Sequence, residues 1–174
     1  MKLKSLFILL LFFYGSAASQ SKEDLLVMKN IDKEVSLIET DKSIKTYSFA
    51  VKKGSQVIQY KYKKKENKIV SVSREWDEEN GAYNDHYKDY FILKNGKRVY
   101  ANQSIASTNK KDSEHVSGWS CQFWFRENKV FNMRSHGHGK TELDDWDYEK
   151  EMRENFEYMM KTVKTFDKNL ASQR

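Results

Sequence analysis

Two histidines one glycine apart, His136 and His138, stand in "RSHGHGKTELDDWDYEKE" (134–151) just before a dense acidic run. In extended chain, side chains two residues apart point the same way. The pair therefore offers two imidazoles to zinc or copper, with Asp144, or else Asp145 or Asp147, as a carboxylate third ligand. A second account uses the same residues without a ligand. Gly137 and Gly139 end a strand, Thr141 or Asp144 caps a helix, and the acids from Glu142 to Glu149 sit at its positive end. The turn is the preferred reading and the metal site its alternative.

A recognition surface is written in "GWSCQFWFRENKVFNMRSHG" (118–137). At strand spacing Trp119, Cys121, Phe123 and Phe125 share one face, which makes Cys121 a small core residue and not a nucleophile. Trp124 and Gln122 fall on the other face. A loop of three residues, Glu127 to Lys129, pairs Phe125 with Phe131 and Phe123 with Met133, and so brings Asn132, Arg134 and His136 beside Trp124. An aromatic ring next to Arg and His suits a sugar, an anionic ligand or a protein hot spot, unless the N-terminal helix or a loop covers that face and makes it a second core. A third candidate is "QYKYKKK" (59–65), where Lys61, Lys63 and Lys65 alternate with Tyr60 and Tyr62. This basic ridge suits phosphate or carboxylate groups, while on an edge strand the same lysines simply deter aggregation.

Other chemistry is weakly supported. "REWDEENGAYND" (74–85) holds Glu75, Asp77, Glu78, Glu79 and Asp85, but a charged turn at Asn80-Gly81 accounts for them better than a carboxylate pair. His86 and His115 lie in no motif. There is no G-x-S-x-G elbow, Walker loop, H-E-x-x-H or dinucleotide glycine pattern, which weighs against an enzyme.

The elements that must position these residues follow from periodicity. "MKLKSLFILLLFFYGSAASQ" reads as a signal peptide, with Lys2 and Lys4, a short apolar run and small residues before a cleavage near residue 19. Nothing later reaches membrane-spanning length, so the expectation is an exported protein, periplasmic or secreted, that meets no nucleic acid. Residues 20–174 are read as a single domain, without proline and with one cysteine, hence without an internal disulfide.

Leu25, Met28, Ile31, Val35 and Ile38 write an amphipathic N-terminal helix that Ser21 and Asp24 can cap. Tyr148, Met152, Phe156, Met159, Val163, Phe166 and Leu170 write a longer C-terminal one. Between them the period is two. Asn95-Gly96 predicts a two-residue hairpin turn that pairs Ile92 with Val99 and Phe91 with Tyr100. Val70, Val72 and Trp76 are placed on one side of their strand.

"YKYKKKENKIVSV", "DYFILKNGKRVY" and "CQFWFRENKVFNM" repeat a plan of aromatic strand, polar turn and apolar return. The fold class predicted is α+β, an antiparallel meander of six or seven strands flanked by the two helices.

Charge is uneven. The formal total is +6, yet residues 42–72 hold nine lysines against one acid, and residues 141–158 hold eight acids against two bases. Such a dipole steers anionic partners. The function expected is a non-enzymatic binding module for a protein, glycan or other anionic ligand. A metal-binding protein using His136 and His138, and an inhibitor or immunity-type protein, are the alternatives.

Overall fold

A computed structural model describes residues 21–114 and 116–172; the expected leader at 1–19 and His115 lie outside the described residues. The chain is α+β. Helix α1 (Lys22–Thr40) precedes seven strands, β1 (Lys45–Lys53), β2 (Gln56–Lys65), β3 (Lys68–Asn80), β4 (Tyr83–Lys94), β5 (Lys97–Asn109), β6 (Val116–Arg126) and β7 (Lys129–Gly137), and helix α2 (Tyr148–Ser172) follows. All seven strands form one antiparallel sheet in sequence order. No described helix is long and apolar enough to cross a membrane.

Each helix buries the stripe its spacing announces. Met28, Ile31 and Ile38 of α1 are buried with Val35 beside them, although Leu25 at the first turn stays exposed. Ser21 Oγ accepts the Asp24 N–H at 3.0 Å and caps the helix. In α2, Met152, Met159 and Val163 are buried, and Tyr148, Phe156 and Phe166 pack against the same core. This larger core holds Tyr60, Tyr62, Val72, Phe91, Cys121, Phe123 and Phe125 from the sheet. The smaller one, beneath α1, holds Ile92, Tyr100 and Trp124. The sheet is therefore sandwiched between two helices.

Turn chemistry and strand register disagree by one residue, and bulges reconcile them. Glu66-Asn67, Asn95-Gly96 and Glu127-Asn128 all have positive φ at both positions, as two-residue hairpin turns require. Two pairs beyond each turn the register slips, leaving Val70, Val99 and Phe131 as extra residues on the returning strand. Three expectations are corrected. Ile92 pairs with Tyr100 and Phe91 with Ala101. The β6–β7 turn has two residues, with Phe125 opposite Val130, while the expected Phe123–Met133 pairing is kept beyond the bulge. Val70 leaves the side of Val72 and Trp76 and packs against the core under α1, as do Val99 and Phe131. The repeated sequence plan is thus a repeated hairpin with one bulge, and each bulge turns an apolar residue toward α1.

Candidate functional site

The sequence candidates are sorted by where α1 lies. Residues paired across successive strands form rungs on its side of the sheet. The first runs Lys63, Ser71, Ile92, Tyr100, Trp124, Asn132, the second Lys61, Ser73, Tyr90, Asn102, Gln122, Arg134, and the third Gln59, Glu75, Lys88, Ser104, Ser120, His136.

Trp124, expected as an open platform, is only 2 % exposed, because α1 lies over the first rung. Its Nε1 donates to Asp32 Oδ1 at 2.8 Å, so the ring's polar atom is satisfied within the fold. This candidate is corrected: Trp124 is core. Gln122 donates to the Tyr100 hydroxyl at 2.9 Å, and the Arg134 guanidinium lies 5.8 Å from the Trp124 ring centroid.

The lysine ridge is also divided. Strand β2 is interior, with β1 outside it, so these lysines do not guard a sheet edge. Lys65 is engaged by Asp41 at 3.2 Å, a carboxyl held down at about 2 by the Ser43 hydroxyl and amide and then by Lys65. Lys63 reaches the Ile38 carbonyl near the end of α1 at 3.0 Å, where a cation complements the helix dipole. The Lys61 ammonium has no ion-pair or hydrogen-bond partner among the described residues, while its carbonyl accepts from the Ser73 hydroxyl at 3.4 Å.

An open groove of about 490 Å³ begins where α1 stops covering the sheet. Lys61, Lys63 and Lys88 line it with Ser71, Ser73, Asn102 and Ser104, and Glu39 is its acidic group. Tyr90 donates to Glu39 at 2.5 Å; burial, then that carboxylate, push its phenol well up and keep it protonated. Glu39 is thereby occupied, and Lys61 and Lys88 stand exposed in none of the ion pairs seen among the described residues, with Glu75 directly across from Lys88 on the third rung. Two strands and two residues separate them, about 12 Å between Cα atoms. Lysine side chains can close on one anionic group between them. Arg134 shares the rung of Lys61 but lies five strands away, about 24 Å. The sequence reading missed Lys88 and the hydroxyl residues, although "VSVS" and "NQS" carry the alternation that places them.

His136 ends the third rung, exposed on edge strand β7. Gly137, with φ 78°, breaks the alternation before His138, whose imidazole is exposed and meets Glu142 at 2.5 Å. Asp144 is exposed. Among the described residues no three His, Cys, Asp or Glu side chains converge as metal ligands.

The glycines have a packing reason. A Cβ on Gly137 would run into the Gly118 carbonyl, and one on Gly139 would stand 2.5 Å from the Trp119 ring. The cap of α2 is Asp147, which accepts the Lys150 N–H at 2.9 Å, not Thr141 or Asp144. Thr141 instead accepts from Trp119 Nε1 at 3.1 Å.

The acids of residues 75–85 are mostly engaged. Asp77 meets His86 at 2.7 Å, Glu78 accepts from Trp76 and Gln56, Glu79 pairs with Lys110, and Asp85 accepts from Asn80. A different carboxylate pair lies under α2, unseen in the sequence. Gln103 Nε2 donates to Asp89 at 3.0 Å and Glu151 at 2.8 Å. Arg74 holds Asp89 at 2.7 Å, while Lys140 and Trp146 hold Glu151. Every charge in this network is answered by another within it, which makes it a tie between α2 and the sheet. Comparison with protein-family models, curated proteins and solved structures finds no match.

Proposed function

We propose that this chain is an exported, non-enzymatic binding module that takes an anionic ligand on the uncovered part of the α1 side of its sheet. The observation that carries the reading is the groove itself. Lys61 and Lys88 stand exposed and unpaired over serine hydroxyls and an asparagine, while the neighbouring cations Lys63 and Lys65 are already engaged. A carboxylate or phosphate placed between the two ammonium groups gains charge-assisted hydrogen bonds, and Ser73, Asn102 and Ser104 suit the hydroxyls of a sugar. An anionic polysaccharide segment fits that combination. The leader-like residues 1–19 support export, and the lack of catalytic sequence motifs supports binding without turnover.

The test is calorimetric titration of residues 20–174 with trigalacturonate, beside neutral galactotriose, for the native chain and a Lys61→Ala/Lys88→Ala variant. Each lysine contributes about 1 kcal/mol at an exposed site. The double variant is therefore expected to bind the uronate about 30-fold more weakly. Equal affinity for the charged and neutral sugars, or no loss in the variant, would refute the reading.

A further inference from the structure

A second concavity lies at the turn end of the sheet, separate from the lysine and serine groove. Strands β3 and β4 pair from Asn80–Tyr83 as far as Ser71–Ile92 and no further. Val70 and Ile69 therefore do not continue the ladder with Leu93 and Lys94. The bulges at Val70 and Val99 lie in the two hairpins concerned, and bulges bend and twist the strand that carries them. Between the hairpin tips, with α1 on one side and α2 on the other, opens a cleft of about 890 Å³.

Its lining sorts into two chemistries. The apolar part is aliphatic, from Ile38, Ile44, Ile69, Val70, Leu93 and Met160, with Leu37 above it 57 % exposed and uncovered. The rim is charged. Lys65 and Lys94 are neutralised by Asp41 and Glu34. Lys33, Lys68 and Lys164, from α1, β3 and α2, are in none of the ion pairs seen among the described residues, while of the two remaining acids in the lining Asp167 is held by Lys64 at 2.7 Å and Glu66 stands at the β2–β3 turn.

We infer that this cleft binds a medium- to long-chain fatty acid, its alkyl chain along the aliphatic floor and its carboxylate among Lys33, Lys68 and Lys164. The floor presents methyl and methylene groups, which suit an alkyl chain, while Asn30, Asn67 and Asn95 stand with the charges at the rim. The three cations supply the charge complementarity, and their long stems can follow a headgroup at the cleft mouth.

The experiment is titration of residues 20–174 with octanoate, decanoate, dodecanoate and tetradecanoate below their micellar concentrations. A methylene fully buried strengthens binding about fourfold, so one lying in an open cleft strengthens it about twofold. Two variants at exposed positions, where folding is not at stake, divide the interaction. Leu37→Asp is expected to flatten the dependence on chain length. The combined Lys33→Glu, Lys68→Glu and Lys164→Glu chain is expected to weaken all four acids by a similar factor, tenfold or more, and keep the slope. Affinity independent of chain length would overturn the inference, and so would a slope that survives both variants at full affinity.

Discussion

Asp89→Ala should be among the most damaging single substitutions in this protein that touch neither helix stripe nor groove. The carboxylate side chain is 2 % exposed and the Arg74 side chain paired with it 13 %. Both Arg74 Nε, at 2.8 Å, and Nη2, at 2.7 Å, meet the same oxygen, Oδ2, and Gln103 takes Oδ1. Removing the acid leaves a guanidinium in the interior, a situation that costs about 3–5 kcal/mol. Two contacts soften the loss: Arg74 keeps Asn155 at 2.9 Å and the Trp76 ring at 4.9 Å. Gln103 keeps Glu151. The expected cost is therefore at the lower end, about 3 kcal/mol, equivalent to a fall in Tm of about 6–12 °C for a chain of this size.

The assay is urea and thermal unfolding of Asp89→Ala beside Lys97→Ala, which breaks an exposed pair with Glu127 and should cost at most about 1 kcal/mol. A joint Arg74→Met/Asp89→Leu chain should recover much of the loss, because an apolar pair removes the stranded charge. If Asp89→Ala unfolds within about 1 kcal/mol of the native chain, the network does not hold α2 to the sheet as described.

Three further outcomes follow from the same packing. Cys121 is buried and its thiol is pushed up to about 11 by that burial, so iodoacetamide should label it only after unfolding; labelling of the folded chain at pH 8 would contradict its place in the core. Gly137→Ala should destabilise by about 2 kcal/mol or more, since φ is 78° and the new Cβ meets the Gly118 carbonyl, and an unchanged Tm would refute the packing account of the glycine pair. Burial pushes the Glu151 carboxyl up, but hydrogen bonds from Lys140, Gln103 and Trp146 outweigh it and leave the group below its ordinary 4.5. A depressed carboxylate stabilises the fold above its unfolded value, and that contribution fades as pH falls below about 4.5. Acid unfolding should accordingly be less steep in Glu151→Gln; identical pH profiles would remove Glu151 from the account.

How far the sequence foretold this structure depends on the length scale of each signal. The helices were legible because burial writes itself at every third or fourth residue from Met28 to Ile38 and from Met152 to Phe166. The Asn95-Gly96 turn was legible because two adjacent residues must take positive φ. Register beyond the turns was not, because a bulge reconciles a local turn preference with pairing several residues away, and Val70 or Val99 looks like any strand valine until both are known.

The same limit hid the site. Lys61 was visible as part of an alternating strand, but Lys88 joins it only through the β2–β3–β4 register. The coverage of Trp124 depended on where a helix 92 residues earlier in the chain would dock. The histidine and glycine run was legible in part, as a turn that ends a strand at Gly137. Its spacing fits metal ligands, yet the glycines answer to Gly118 and Trp119, partners a local reading of that stretch does not contain.

The measurement that bears most directly on the binding account is a backbone amide NMR titration of residues 20–174 with trigalacturonate. The account predicts that the largest shifts gather at Lys61, Ser73, Lys88, Asn102 and Ser104, grow weaker as salt is raised, and are absent with galactotriose. Shifts of equal size with the neutral sugar, or shifts confined to residues away from this groove, would contradict it.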